Sequence, residues 1–208
     1  MRQEKLWRDG MQTWLIIIFT IVGTAAVLKL LHAFAIIVAY PVTQGAMYTS
    51  TARVKIHKAL DAVVMKPGKL FVDIGCGDGR VLREARKHYG VICHGFEVNP
   101  IAFLKALIFT IGDKNIKVFY RNFWRVDLRR ADVVACYLFP DVMWRLGMKL
   151  AWELVPGARV ISFNFPIPGW KPQSVLRVES KLHNDPIYIY HIPESLPGRH
   201  SVSIDPKP

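Results

Sequence analysis

Apolar and polar positions alternate along this chain in three distinguishable ways. From Met11 to Leu28 there are 18 residues without a charge, and beyond Lys29 the apolar character resumes from Leu30 to Tyr40. About 20 apolar residues of helix cross a hydrocarbon core, so this stretch predicts a membrane-spanning helix, with Trp14 and Tyr40 as interfacial anchors. Either the helix ends near residue 28 or Lys29 snorkels toward the interface. A buried or interfacial hydrophobic helix is the alternative. A signal peptide fits less well, because its apolar region would be shorter and followed by a cleavage site.

After residue 40 the pattern changes to short apolar runs alternating with helical periods. Tyr40-Pro41-Val42-Thr43 reads as extended, since a residue before proline is pushed away from helix. Thr51–Val64 is helix-like, with Val54, Ala59 and Val63 on one face and Arg53, Lys55 and Lys58 elsewhere. Strands follow at Leu70–Ile74, Val91–Glu97, Ile116–Tyr120, Ala131–Cys136 and Ala158–Phe163. Helices are expected between them at Val81–Tyr89, Ile101–Ile111 and Val142–Leu154. Ser174–Glu179 and Ile187–Ile192 read as a final antiparallel hairpin turning through Asp185-Pro186. The alternation predicts an α/β fold whose sheet is covered by helices on both faces. The expected domain boundaries are 1–40 for the membrane segment, 41–69 for a connector and helix, 70–192 for the α/β domain, and 193–208 for a loose Pro-rich tail.

Composition narrows the compartment and the surface. Hydrophobic residues make up 51% of 208 and the mean hydropathy is +0.20, in keeping with one local apolar segment. The net charge of +12 favours an anionic surface, lipid headgroups or nucleic acid, without choosing between them. Cys76, Cys93 and Cys136 fall in or beside strands with no C-x-x-C pair, which suits buried reduced thiols. No His/Cys/Asp cluster has metal-ligand spacing, so no metal is expected. Basic residues flank both ends of the apolar segment, and charge alone does not orient it.

The chemistry gathers at Phe71-Val72-Asp73-Ile74-Gly75-Cys76-Gly77-Asp78-Gly79-Arg80. An apolar strand ends in a carboxylate and turns through alternating glycines into a helix, a geometry that cradles nucleotide-like ligands. The spacing is D-x-G-x-G-x-G rather than the dinucleotide G-x-G-x-x-G, and Asp73 and Asp78 would repel a pyrophosphate. They suit a cofactor with an amino-acid end and a cationic centre. Glu97, 18 residues past Gly79, ends the next strand, where an acid can accept hydrogen bonds from both ribose hydroxyls. Alternatively Glu97 caps the helix that begins near Pro100. Asn122 can bond an adenine amine, and Phe123 or Trp124 can stack on it; core packing is the plainer role for one of the two. Tyr137 to Asp141 follow the fourth strand and should border the reacting atoms. Asn164-Phe165-Pro166-Ile167-Pro168-Gly169-Trp170 either walls a substrate site or packs.

The glycine motif resembles the first motif of the seven-strand, class I methyltransferases, whose cofactor is S-adenosylmethionine. With the apolar segment, Gly95-Phe96-Glu97-Val98-Asn99-Pro100, Asn122-Phe123-Trp124 and Phe163-Asn164-Phe165-Pro166-Ile167-Pro168, the chain resembles the small membrane-anchored lysine methyltransferases. That group modifies the adenine nucleotide translocase and the ATP synthase c-subunit. The resemblance implies a seven-strand Rossmann-like sheet behind a transmembrane helix, and protein-lysine methylation of a membrane protein. By it, Asp73, Gly75, Gly77 and Asp78 would hold the methionine end, Glu97 the ribose, and Asn122 with Phe123 the adenine, with Gly79 also among the cofactor-binding residues. Tyr137, Asp141 and Asn164 are catalytic candidates by location, with packing for Tyr137 and helix capping for Asp141 as the structural alternatives.

S-adenosylmethionine is intracellular, so the domain after Tyr40 should face the cytoplasm, or lie at a mitochondrial membrane. Two rivals stand beside lysine methylation: transfer to nucleic acid, lipid or a small molecule, and a non-catalytic membrane scaffold. Amino-methylating nucleic-acid enzymes carry Asp/Asn-Pro-Pro-aromatic after the fourth strand, where this chain has Tyr137-Leu138-Phe139-Pro140, so nucleic acid is not favoured.

Overall fold

The computed structural model describes residues 2–43, 51–179 and 184–197, in two compact units, Met1–Val42 and Thr43–Pro208. In the first unit a single helix, α1, runs Arg2–Thr43. Its stretch Met11–Phe34 is 24 residues long and apolar enough to cross a membrane. At 1.5 Å per residue that is about 36 Å, more than a hydrocarbon core requires. Every side chain from Met11 to Phe34 is exposed, apolar ones included. The Thr20 and Thr24 hydroxyls donate to the carbonyls of Ile16 and Thr20, each at 2.8 Å, so neither is left unsatisfied. The helix does not stop near residue 28, and Tyr40–Thr43 is helical rather than extended. Proline this near a helix end removes one backbone bond and is absorbed there, so the preference of its preceding residue is overridden. Residues 44–50 of the expected connector lie outside the described residues.

In the second unit α2 (Arg53–Asp61) precedes a seven-stranded sheet. Its strands are β1 (Leu70–Ile74), β2 (Ile92–Glu97), β3 (Ile116–Tyr120), β4 (Val133–Cys136), β5 (Arg159–Phe163), β6 (Ser174–Leu176) and β7 (Ile187–His191). The spatial order is β3-β2-β1-β4-β5-β7-β6. The first five strands are parallel, and β7 runs antiparallel between β5 and β6. Three helices link the parallel strands: α3 (Arg80–Tyr89), α4 (Pro100–Thr110) and α5 (Pro140–Glu153).

Strand periodicity divides the core into two layers. Val72, Ile74, Val134, Cys136 and Val160 pack with Met143, Leu146 and Leu150 of α5. Phe71, Cys93, Val133, Ala135 and Ile161 face the opposite layer, with Ile56, Ala59 and Leu60 of α2 and Val81, Leu82 and Ala85 of α3. Lys55 departs from the face assignment read from sequence: it is 3% exposed, whereas Val54 is 50% exposed. The Phe163–Trp170 connection is largely structural from Ile167 onward. Ile167 and Trp170 are buried against Gly147, where a Cβ would stand 2.6 Å from Ile167. The expected loose tail begins packed: Ser195 and Leu196 are buried, and the Ser195 hydroxyl accepts the His191 N–H at 3.0 Å.

Candidate functional site

The order of strands reverses between β1 and β4, which opens a crevice at their carboxyl ends, the usual ligand position of such sheets. The loop leaving β1 lines it. Gly75, Gly77 and Gly79 have φ of 75°, 57° and 71°, alternating left-handed positions that side chains resist. The loop is tied to β2, because Gly75 and Cys76 donate to the Phe96 carbonyl at 2.9 and 3.1 Å. Gly95 of β2 allows that approach; a Cβ there would meet Leu82 at 2.6 Å and the Cys76 sulfur at 2.7 Å.

Three acids converge beneath the loop. Asp73, Asp78 and Glu97 are 5%, 7% and 9% exposed. Burial, then the charges of Glu97 and Asp78, push the Asp73 carboxyl up to about 8. Glu97 accepts the Gly77 N–H at 2.8 Å through one oxygen, and the Val98 and Asn99 N–H groups at 2.8 and 2.7 Å through the other. Capping of α4 falls instead to Asn99, whose side chain accepts from Ile101 and Ala102 at 3.0 and 3.1 Å. Asp78 accepts the Arg80 N–H at 3.1 Å. The buried negative cluster selects for a cation, and the left-handed loop leaves room for a ligand's backbone-like end. Both properties fit the amino-acid and sulfonium parts of S-adenosylmethionine.

Beyond β3, Asn122 caps a short 3-10 turn, Phe123–Arg125, by accepting the Trp124 N–H at 3.0 Å. The Phe123 and Trp124 rings lie 4.5 Å apart, both half-buried against the core. The Arg145 guanidinium covers Trp124 at 4.3 Å, which leaves Phe123 as the freer of the two for an adenine.

After β4 and β5 a second cluster forms. Asn164 holds a left-handed φ of 68°, the sole non-glycine with positive φ among the described residues. Strain of this kind concentrates at functional sites. Its amide donates to the Tyr137 hydroxyl at 2.6 Å, and its carbonyl accepts the Lys55 ammonium at 2.5 Å. Lys55 also pairs with the half-exposed Asp185 at 3.5 Å. Burial lowers the Lys55 pKa, with Asp185 opposing. Burial and then Asp185 raise that of Tyr137. Two of the three catalytic candidates are thus joined directly. Asp141 is exposed in the first turn of α5, where its charge complements the helix N-terminus; the cap position belongs to Phe139, and the Tyr137–Asn164 hydrogen bonds do not extend to Asp141. Sequence reading missed Lys55. Its signal was a lysine next to Ile56 and four residues before Ala59, within the apolar stripe that α2 buries.

The chain is similar in sequence and fold to known proteins. The family described as ANTKMT methyltransferase domain matches residues 73–174, from Asp73 to β6. A protein-lysine N-methyltransferase of Saccharolobus islandicus (strain REY15A) is 34% identical over 152 residues, covering 71% of this chain and 94% of that protein. The adenine nucleotide translocase lysine N-methyltransferase of Mus musculus is 33% identical, covering 62% of this chain and 57% of that protein. The ATP synthase c-subunit lysine N-methyltransferase of Xenopus laevis is 31% identical with the same two coverages. The chain therefore spans a little over half the length of these vertebrate relatives. Among solved structures, an RNA methyltransferase from Salinibacter ruber in complex with S-adenosyl-L-homocysteine superposes with a TM-score of 0.67 at 26% identity. The match covers 72% of this chain and 97% of that one.

Proposed function

Because the chain belongs to the family of S-adenosylmethionine-dependent protein-lysine N-methyltransferases, we propose that it methylates the ε-amino group of a lysine in a membrane protein. The observation that carries this reading is the pairing of two clusters at one sheet edge. Buried acids with a left-handed glycine loop follow β1, and the Tyr137–Asn164–Lys55 chain follows β4 and β5.

In this assignment Asp73 and Asp78 hold the cationic methionine end, with Gly75, Gly77 and Gly79 keeping the backbone close to it. Glu97 takes the ribose hydroxyls while its backbone bonds keep the loop in place, and Asn122 with Phe123 receives the adenine. When bound, the cofactor would supply an electrophilic sulfonium methyl, which the acceptor nitrogen would take as the carbon–sulfur bond breaks and the neutral thioether leaves. Catalysis by the chain is then largely positioning and desolvation. The incoming lysine must present a neutral amine, and the buried Lys55 cation disfavours a second positive charge nearby. Tyr137, fixed through Asn164, keeps an oxygen lone pair for an N–H of the acceptor.

Membrane delivery rests on α1 and on a second feature. Leu104, Leu107, Ile108 and Ile111, at helical spacing along α4 and its cap, are 56%, 40%, 57% and 86% exposed. Such a stripe suits contact with a bilayer surface, and the net charge of +12 suits anionic headgroups. With an intracellular cofactor, the α/β unit faces the cytoplasm or its organellar equivalent.

The test is transfer of labelled methyl from S-adenosylmethionine to isolated membranes, split into protein, lipid and RNA fractions, with Glu97→Ala as control. The expected outcome is label on lysine of a membrane protein, absent in the variant. Label confined to lipid overturns the acceptor. Label confined to RNA would favour the activity named for the Salinibacter ruber protein, the second reading that the 0.67 superposition supports.

A further inference from the structure

Away from the crevice, α2 and α3 bring two imidazoles and a carboxylate together. Glu84 and His88 lie four residues apart, on one face of α3, and His57 meets them from α2. The three ligand atoms lie within 4.8 Å of one another. Both imidazoles address the same oxygen: His57 Nε2 is 2.9 Å and His88 Nε2 3.3 Å from Glu84 Oε2. The rings stand 4.6 Å apart at 64°, so their edges converge without stacking. The other carboxylate oxygen, Oε1, is engaged by Arg53 Nε at 3.4 Å.

We propose that His57, Glu84 and His88 form a binding site for a borderline divalent cation, zinc being the reference ion, that clamps α2 to α3. Two neutral imidazoles and one carboxylate are a donor set that zinc accepts, at about 2.0–2.2 Å each. Tetrahedral ligands at such lengths lie about 3.3 Å apart, close to the two nitrogen–oxygen separations already present, and with all three ligand atoms within 4.8 Å of one another small side-chain rotations admit the ion. Arg53 acts as the outer partner that such sites require: it holds Glu84 through Oε1 and leaves Oε2 turned toward the imidazoles. His57 and His88 are each less than half exposed and Glu84 is 13% exposed at its side chain, so a fourth position remains open to water. The three cysteines compete poorly, since all are buried and burial pushes each thiol up.

The clamp has a reason in the fold. α3 begins where the glycine loop ends, at Arg80, and α2 carries Lys55 to Asn164. An ion joining the two helices would hold the two halves of the crevice in register. Linear spacing hid the site, because 27 residues separate His57 from Glu84 and their meeting depends on helix packing.

The test is calorimetric titration of the untagged full-length chain in detergent micelles with zinc alone, repeated with His57→Ala, His88→Gln and Arg53→Met. The expected result is one ion per chain, with affinity reduced about tenfold or more by either histidine substitution and by Arg53→Met. Cobalt in place of zinc should give the visible absorption of a four-coordinate site in the parent chain and lose it in His57→Ala. Both histidines are partly exposed, so the variants should keep the thermal unfolding midpoint of the metal-free parent. Absence of saturable binding, or unchanged affinity in the His57→Ala/His88→Gln chain, overturns the site. Neither result depends on methyl transfer, so it stands apart from the functional assignment.

Discussion

At the scale of single residues, Asp73 and Lys55 are ionisable groups with little water around them, and each has a measurable signature. Asp73 in the folded chain titrates at about 8 rather than 3.8, because it is buried beside Glu97 and Asp78. Between those values the folded state holds a proton that the unfolded state releases, so this residue makes stability fall as pH rises through that window. A cationic ligand needs the ionised form. Affinity for S-adenosylmethionine, whose sulfonium carries the positive charge, should therefore rise up to about tenfold per pH unit below 8 and level off above it, with release of one proton. Calorimetry in buffers of different ionisation enthalpy measures that proton, and flat affinity from pH 6 to 8 would contradict the role. Asp73→Asn should bind weakly at every pH and lose the slope.

Lys55 is tested through the acceptor. On the proposed assignment, replacing its ammonium with an apolar chain removes a cation near the incoming amine, whose pKa should then rise. Lys55→Met should move the acidic limb of kcat/KM to higher pH by roughly one unit or more, and Lys55→Arg should restore it. A lowered rate with an unmoved pH profile would reduce Lys55 to a packing residue.

At the scale of elements, α4 carries two faces with different neighbours. Ala102, Ala106 and Thr110 are buried, and Ala106 and Thr110 approach Gly79 so closely that a Cβ there would stand 3.5 and 3.4 Å from them. The opposite stripe of Leu104, Leu107, Ile108 and Ile111 has no cover among the described residues. Leu107→Glu with Ile108→Glu should leave the unfolding midpoint nearly unchanged, since exposed positions tolerate charge. Methyl transfer to an acceptor in vesicles should drop several-fold while transfer to a soluble lysine peptide stays level. Equal loss on both acceptors would place the stripe in folding rather than in membrane contact.

At the scale of the whole molecule, short-range signals and long-range ones were unequally legible. The apolar length of α1, the strand β3 at Ile116–Tyr120 and the turn after Ile74 are written in neighbouring residues, because helix, strand and left-handed glycine are local choices. Helix ends were less so: Tyr40–Thr43 is helical although proline argued otherwise, since one lost backbone bond is a small penalty near a terminus. The pairing of Tyr137 with Asn164 was accessible as a shared sheet edge, and Asp141 was grouped with them by position although it faces solvent. Sequence alone determined the α/β alternation, the acid-bearing glycine loop and a helix long enough to span a bilayer. Tertiary structure decided which lysine is buried, since Lys55 meets Asn164 across 109 residues, and which acids share one charge field. It also decided that β7 enters between β5 and β6 and that His57 faces Glu84. Those outcomes depend on how faces pack, and a linear pattern records a residue's own preference without recording what will stand opposite it.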